Sequence, residues 1–248
     1  MFESIIKFKA KDIILENKDL YPAPTKLNIP EWYKNLDHKI GDITIKGCMP
    51  FLDTLTSGYT LKMPIDYYLA HNTIVDGNRV AGYFTAQTNV SAETAFKANI
   101  NTKDIPNYHP TRQLGEECPF NKKNKNLPFH KILNPWTIIT PPGYSCLFLP
   151  PLNNSDDRFS IIPGIVDTDV FENPVNFPII INGDKYPVLE STVKAGTPYV
   201  QVFPFKRDNW KMKIETTDDS SFEKKRFKLS TKIIHNYKQI WWNKKSWK

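Results

Sequence analysis

The segment His109-Pro110-Thr111-Arg112-Gln113 places three hydrogen-bonding side chains close together in the sequence. An imidazole, a guanidinium and an amide held side by side can receive an anion or an amide group. The same side chains also commonly satisfy backbone groups within a loop, so both interpretations stay open. His109, Arg112 and Gln113 are therefore candidate ligand-binding residues.

The histidine and cysteine patterns point away from metal and nucleophilic chemistry. None of the five histidines forms an HxH or HxD pair, so a facial triad of metal ligands would have to assemble from distant positions. Cys146 lies in an apolar run, where a free cysteine usually behaves as a small buried hydrophobe. The sequence contains no GxSxG elbow, Walker loop or GxGxxG. We predict no metal ion and no cofactor.

Asp167 and Asp169 stand two residues apart after the short hydrophobic run Gly164-Ile165-Val166. A pair of aspartates in a turn commonly caps backbone amides. Gln201 lies within a hydrophobic strand, where a glutamine commonly satisfies a buried backbone group. These structural roles compete with the chemical roles that a family resemblance implies.

Four segments follow one another in the order of the landmarks of a known fold. They read SGYTL (57–61), TPPGY (140–144), PGIVDTD (163–169) and KAGTPYVQV (194–202). Together they resemble the dUTPase and dCTP deaminase superfamily. The resemblance implies a mainly β protein, either a β-barrel or a double-sheet sandwich of the β-clip type. An unrelated jelly-roll or cupin-like sandwich is the alternative.

The resemblance also assigns candidate site residues. Asp167 matches the carboxylate that orients and deprotonates water for attack on a phosphate, which makes it the best catalytic candidate. Asp169 and Gln201 are candidate ligand-binding residues on the same grounds. In family enzymes an arginine-serine-glycine segment then holds the phosphates, and it should fall near residues 149–154.

The chain departs from the family where phosphate is bound. The segment LPPLNN (149–154) contains neither arginine nor serine, Thr60 replaces an aspartate, and VFE (170–172) replaces tyrosine-arginine-glycine. No glycine follows Gly196, so the glycine-rich closing arm is missing as well. Each lost donor costs about 2–4 kcal/mol of transition-state stabilisation, which argues against a conventional dUTPase.

Three functional hypotheses follow. The first is a non-catalytic binding or assembly module that forms a homo-oligomer, with a trimer implied by the resemblance. The second is an enzyme acting on a nucleotide or other anionic small molecule through Asp167, with His109, Arg112 or Gln201. The third is a structural component of a phage particle.

Period-two alternation and turn residues predict where the strands lie. We predict strands within residues 5–10, 42–46, 58–63, 136–140, 144–149, 175–181 and 199–205, and a short helix over residues 29–36. Residues 72–132 give weak signals and are predicted to be an insertion of long loops, with a turn at residues 75–79. Twenty prolines against ten glycines agree with short strands and proline-bearing loops.

The net charge of +7 is concentrated near the end of the chain, in nine lysines and arginines over residues 224–248. Residues 215–221 resemble a linker, and Ile233, Ile234, Tyr237, Ile240 and Trp241 form one stripe of an amphipathic helix. We predict a single β domain over residues 1–212 and a basic tail over 213–248. We expect the tail, especially residues 222–248, to pack on the protein's own body; a neighbouring subunit, nucleic acid and a membrane surface are the alternatives, of which nucleic acid is possible but not favoured.

The three cysteines lack CxxC spacing and leave one thiol over, which indicates a reducing compartment. The first residues lack the pattern of a signal peptide, and no run approaches the length of a membrane span. We therefore expect a cytoplasmic protein, or a virion protein if a phage encodes it.

Overall fold

The computed structural model of the protein describes residues 4–39, 44–74, 81–103, 108–125, 127–231 and 236–248. Strands dominate this part of the chain. In chain order they are β1 (Lys7–Lys9), β2 (Ala23–Pro24), β3 (Tyr59–Lys62), β4 (Asp66–Asn72), β5 (Ala81–Gln87), β6 (Tyr108–His109), β7 (Phe129–Ile132), β8 (Thr137–Ile139), β9 (Tyr144–Leu149), β10 (Phe159–Ile161), β11 (Gly164–Val166), β12 (Phe177–Ile181), β13 (Val188–Val193) and β14 (Pro198–Lys206).

The helices are short and lie at the edges of the sheets or near the end of the chain. They are α1 (Asp12–Leu15), α2 (Glu31–Lys34), α3 (Met49–Thr56), α4 (Ala92–Ala98), α5 (Pro119–Asn124), α6 (Asp219–Thr231) and α7 (Asn236–Ile240). Local capping explains α4, because the Ser91 side chain accepts from the Thr94 amide and Asn99 ends the helix in the left-handed region. No helix within the described ranges is both long and apolar enough to cross a bilayer.

Every strand pair in the sheets is antiparallel. The largest sheet has the order β11-β9-β14-β3-β2, and the others are β10-β12-β7-β6, β13-β4-β5 and the pair β1-β8. The mainly β prediction is confirmed. The barrel form of that prediction is wrong for the described residues, since none of these sheets closes on itself.

The main core lies where the three larger sheets face one another. Its buried side chains come from all three of them: Leu61, Phe148, Val200 and Val202 from the five-stranded sheet, Ile132, Ile161, Phe177 and Ile179 from the four-stranded sheet, and Tyr67, Ala86 and Val193 from the three-stranded sheet. Alternate residues of the strands supply these side chains, as the pleat requires. Burial of this apolar surface is therefore what holds the separate sheets together.

Most of the predicted strands are observed. The strands within residues 5–10, 58–63, 136–140, 144–149, 175–181 and 199–205 correspond to β1, β3, β8, β9, β12 and β14, and the predicted helix over 29–36 corresponds to α2. The predicted strand over 42–46 is wrong in its described part, because Ile45–Gly47 forms a 3-10 turn leading into α3. Its first residues lie outside the described ranges.

The prediction of long loops over residues 72–132 is wrong. This segment supplies β5, which pairs with β4 along seven residues, and β7, which lies inside the four-stranded sheet. Phe129 and Ile132 of β7 are fully buried. The predicted turn at residues 75–79 lies outside the described residues, although the strands on either side of it pair antiparallel.

The end of the chain contacts the body, which is the partner that the sequence analysis expects first for the tail. The Trp242 indole donates to the Asp53 carboxylate at 3.1 Å, and Lys245 forms an ion pair with the same carboxylate. Tyr59 contacts the Trp247 ring edge-on with centroids 5.8 Å apart. The predicted linker over residues 215–221 is wrong in its last three residues, because α6 begins at Asp219. Tyr237, Ile240 and Trp241 of the predicted stripe are exposed, and Ile233 and Ile234 lie outside the described ranges.

Gly58 provides the clearest backbone constraint. It has a φ of +76°, and a Cβ at this position would overlap the Val202 carbonyl of the neighbouring β14. Gly196 also has a positive φ, of +83°, but open space around it. Both Gly58→Ala and Gly196→Ala should lose about 1–2 kcal/mol of unfolding free energy, because alanine is strained in the left-handed region. Gly58→Ala should lose clearly more, because its Cβ also overlaps the Val202 carbonyl.

Urea unfolding of both variants measures this difference. Gly196→Ala is the matched control, since it carries the conformational strain without the overlap. Equal losses of unfolding free energy in the two variants would show that β3 and β14 do not approach as closely as described.

Candidate functional site

Asp169 is the buried member of the aspartate pair. It follows β11 in a turn, its side chain is only 5% exposed, and its carboxylate accepts a 2.8 Å hydrogen bond from the Gly143 amide. Gly143 lies in the turn that leads into β9, with a φ of +83° that suits glycine. Asp169 therefore ties the turn after β11 to the turn before β9.

Arg207 completes this junction from the end of β14. Its guanidinium forms a two-pronged ion pair with Asp169 and also donates to the Tyr144 carbonyl and the Ser145 hydroxyl, each at 3.0 Å. The Arg207 amide donates to the Gly143 carbonyl at 2.8 Å. A planar guanidinium suits such a carboxylate fork. We call Gly143, Ser145, Asp167, Asp169 and Arg207 the aspartate clamp.

Asp167 lies at the solvent side of the clamp. The Ser145 hydroxyl donates to it at 2.6 Å, and the Arg207 guanidinium lies 3.2 Å from the same carboxylate oxygen. The side chain is 58% exposed. The Asp167 carboxylate is thus held by a hydroxyl and a guanidinium that also contact other parts of the fold. Such contacts are typical of an aspartate that stabilises a turn and less typical of a base that activates water.

The charges of the clamp shift the pKa of Asp169 strongly. The Arg207 guanidinium and then the Gly143 amide lower the pKa of this carboxyl to about 2. Behind the clamp, burial raises the pKa of the Cys146 thiol to about 11, with a smaller opposite effect from the Thr168 hydroxyl. Cys146 is therefore a thiol at neutral pH and not a nucleophilic thiolate.

Gln201 lies inside β14 and is 1% exposed. Its amide nitrogen donates to the carbonyls of Thr54 and Ser57, at 2.9 and 2.8 Å, and its oxygen accepts from the Leu152 amide at 3.0 Å. Both amide hydrogens are thus used by the backbone. In this arrangement Gln201 joins the end of α3 and the segment after β9 to the large sheet, and it offers no donor to a ligand.

His109, Arg112 and Gln113 lie in another part of the protein. His109 belongs to β6, at the edge of the four-stranded sheet, and pairs with Phe129. Arg112 and Gln113 are exposed on the 3-10 turn that follows. No hydrogen bond or ion pair between described residues connects them to Asp167. The structure therefore does not bring together the residues of the proposed enzymatic set.

Metal ligands are likewise scattered. Within the ranges that the structure describes, no three histidine, cysteine, aspartate or glutamate side chains gather closely enough to hold a metal ion. Two carboxylates do lie close together in the aspartate clamp, but there the Arg207 guanidinium contacts both Asp167 and Asp169.

The sequence reasoning missed the segment that follows the clamp. Residues 208–217 form neither helix nor strand, and all of them are exposed. Trp210, Met212 and Ile214 alternate here with Lys211 and Lys213, and the three apolar side chains are 90%, 83% and 85% exposed. We call residues 208–217 the apolar arm. The alternation of apolar and charged residues could have identified this segment, because alternation with a period of two is the pattern of a strand.

Arg207 was missed for a different reason. A single arginine after a hydrophobic strand carries no spacing signal, and its role depends on three turns that meet only in the folded protein.

No family model matches the chain, and neither curated proteins nor solved structures match it.

The depressed pKa of Asp169 gives a pH-dependent prediction. Because the folded pKa is about 2 and an unfolded aspartate titrates near about 3.9, the ionised carboxylate stabilises the fold above about pH 4. This stabilisation is lost as the pH falls towards 2. The gap in unfolding free energy between wild type and Asp169→Asn should therefore be largest near neutral pH and shrink between about pH 4 and 2.

Urea unfolding across this pH range measures the gap, with Asp167→Asn as the matched control. Asp167 shares the same arginine but is more exposed, so its substitution should cost less at neutral pH. A larger cost for Asp167→Asn, or a gap that does not change with pH, would contradict the assigned roles.

Proposed function

We propose that this protein is a non-catalytic assembly module that forms a homo-oligomer through its apolar arm. The observation that carries the proposal is the arm itself: three large apolar side chains, spaced two apart, stand almost fully in solvent. Isolated exposed apolar residues are ordinary, but an exposed alternating set marks an interaction surface.

The alternation suits addition to a sheet. In an extended segment, residues two apart project from the same face, so Trp210, Met212 and Ile214 form one apolar face and Lys211 and Lys213 the other. A segment of this kind can pair its backbone with a free sheet edge while its apolar face packs against side chains beside that edge. The arm therefore needs an edge strand with exposed apolar neighbours.

The edge at β11 has these properties. Among the described strands it is the outermost of the five-stranded sheet, and β9 is its one partner there. Ile165 within it and Val170 just after it are 62% and 74% exposed, and Phe171 is exposed as well. Unpaired edges with apolar side chains are the usual templates for strand addition.

Charge supports the same pairing. Two exposed acidic side chains lie on this edge: Glu172 follows Phe171, and Asp167, which Arg207 already contacts, follows Val166. The arm contributes Lys211 and Lys213, neither of which forms an ion pair with the described residues of the body; Lys213 pairs within the arm, with Glu215. Opposite charges on the arm and on the edge favour the encounter and fix its direction.

A second copy of this chain is the favoured partner, because donor and acceptor are both present on one chain. A strand added at the free side of β11 would lie three strand spacings from β14, which is about 14 Å. The three residues from Arg207 to Trp210 span at most about 11 Å. Arg207 is held by the clamp, so Trp210 cannot reach the free edge of its own chain, whereas the edge of another copy is open to the whole arm.

The fold-family resemblance enters the proposal as well. The four landmark segments lie in or beside β3, β9, β11 and β14, which are neighbours in one sheet. This arrangement supports a divergent relationship to the dUTPase and dCTP deaminase fold. The engagement of Asp167 by Ser145 and Arg207 supports a scaffold whose catalytic role has been lost.

Substitution of the arm tests the assembly. We expect the full-length wild type to form an oligomer at micromolar concentration, measured as molar mass by light scattering after size exclusion. The triple variant Trp210→Ser, Met212→Ser, Ile214→Ser should be a monomer with unchanged unfolding free energy, because these three side chains are 83–90% exposed and pack little against the described protein.

A control variant removes two exposed apolar residues elsewhere, with Leu27→Ser and Ile74→Ser, which are 67% and 65% exposed. This variant should keep the wild-type mass. Ile165→Lys on β11 should shift the mass towards the monomer as the arm variant does. A monomeric wild type, or an oligomer that survives both the arm and the β11 variants, would refute the proposal.

A further inference from the structure

The net positive charge of the protein comes from residues 224–248, which we call the basic segment. These residues include nine lysines and arginines and no aspartate or glutamate, whereas residues 1–223 have a net charge of −2. A surface with a slight net negative charge does not attract a polyanion over long distances. Attraction to a polyanion is therefore concentrated in the basic segment.

The contacts of the basic segment with the body leave most of its described cations in solvent. Lys245 pairs with Asp53, and the Trp242 and Trp247 side chains supply further contacts. Five other cationic side chains are exposed and form no ion pair with a described residue: Lys224, Lys225, Arg226, Lys238 and Lys244. Packing on the body, which the sequence favours for the tail, thus holds for its last residues and does not account for these five charges.

Helix α6 directs its cations to several sides. Successive residues of an α-helix are rotated by about 100°, so Lys224, Lys225 and Arg226 project from three different sides of α6. The side that begins at Phe222 continues with Lys225 and Arg226, three and four residues later. Phe227 projects about 140° away from Phe222. The sequence of α6 therefore gives no continuous apolar face, which a helix lying in a membrane surface requires.

Helix stability alone does not explain the position of these cations. Cations interact favourably with the helix dipole only in the last turn, whereas Lys224, Lys225 and Arg226 lie in the middle of the 13 residues of α6. The acidic residue before the helix does have such a role, because the Asp218 carboxylate accepts from the Ser220 amide at 3.2 Å and from its hydroxyl at 2.8 Å. Three adjacent exposed cations in mid-helix indicate a binding surface.

The dimensions of α6 suit the major groove of duplex DNA. An α-helix with its side chains is about 10–12 Å across, and the major groove is about 12 Å wide. The 13 residues of α6 extend for about 20 Å along the helix axis. Phosphate groups line both walls of the groove, so cations that project from several sides of one helix can contact both walls at once.

From this arrangement we infer that the basic segment binds the phosphate backbone of duplex DNA, with α6 in the major groove. Lys224, Lys225 and Arg226 contact phosphates on the two walls of the groove. Contacts to phosphates carry no sequence information, so the binding is independent of base sequence. The inference concerns a different surface from the apolar arm and does not rest on the proposed assembly.

Fluorescence anisotropy of a labelled DNA duplex, titrated with the full-length protein, tests the inference. We expect the wild type to bind duplexes of different sequence equally. Binding should weaken at least tenfold between about 50 and 200 mM salt, because each neutralised phosphate releases a counterion. A single strand of the same length has no major groove and should bind more weakly.

The triple variant Lys224→Gln, Lys225→Gln, Arg226→Gln tests the role of α6. Glutamine has a helix propensity close to those of lysine and arginine, so the helix is retained. The variant should bind the duplex at least tenfold more weakly than the wild type. Its affinity should also depend less steeply on salt, because three phosphate contacts are lost.

A matched control removes the same charge from the body. Lys9, Lys18 and Lys26 are exposed and form no ion pair within the described ranges. The triple variant Lys9→Gln, Lys18→Gln, Lys26→Gln should therefore bind the duplex much like the wild type. An equal loss of affinity in the two triple variants would show that net charge, and not α6, determines binding.

A second pair of measurements tests a membrane surface as the partner. Tyr237 and Ile240 of α7 are 43% and 59% exposed and are side chains that a membrane would bury. Tyr237→Ser with Ile240→Ser should leave DNA binding unchanged. Vesicles of phosphatidylcholine and phosphatidylserine, at the same concentration of negative charge, should bind the wild type more weakly than the duplex does.

Several results would overturn the inference. These are no binding of the duplex at low salt, normal binding by the α6 variant, and equal binding of the duplex and the single strand. Tighter binding to the vesicles than to the duplex, lost in the α7 variant, would instead assign the basic segment to a membrane surface.

Discussion

The ion pair between Arg207 and Asp169 connects the ends of three strands that are not consecutive in the chain. Strands β9, β11 and β14 meet at one end of the large sheet, and at this end the clamp joins the turn before β9, the turn after β11 and the residue after β14. Pairing between strands fixes their register but not the turns beyond them. The clamp fixes those turns, and it does so with groups that would otherwise need water.

Gln201 plays the corresponding part in the middle of the sheet. Its amide is buried and satisfies three backbone groups, two at the end of α3 and one after β9. A buried polar side chain is favourable only when its hydrogen bonds are complete, and here they are. Asp169 and Gln201, two of the residues that the family resemblance marked as ligand-binding, therefore have their hydrogen-bonding groups engaged by other parts of the fold.

The sequence predicted those strands whose patterns are local. The turn residues Pro141, Pro142 and Gly143 and the alternation around them were sufficient to place β8 and β9. Strands β5 and β7 were missed because their pairing partners lie elsewhere in the sequence, and β propensity depends on such context. Ile45 and Lys46 were assigned to a strand from alternation alone, but the 3-10 turn before α3 governs their conformation. The clamp was beyond prediction for the same reason as β7, since Arg207 gains its role only through contacts distant in sequence.

The position of the clamp also determines where the apolar arm leaves the body. Strand β14 is paired on both sides, to β3 and to β9. Beyond it, the Arg207 amide donates to the Gly143 carbonyl and the Arg207 guanidinium pairs with Asp169. The backbone is therefore held up to the residue before the arm begins at Asp208. Because the clamp also joins the turns of β9 and β11, the arm leaves the sheet at the same end as the turn that follows β11. Assembly through the arm thus depends on the clamp, since loss of the Arg207 contacts would release the point from which the arm extends.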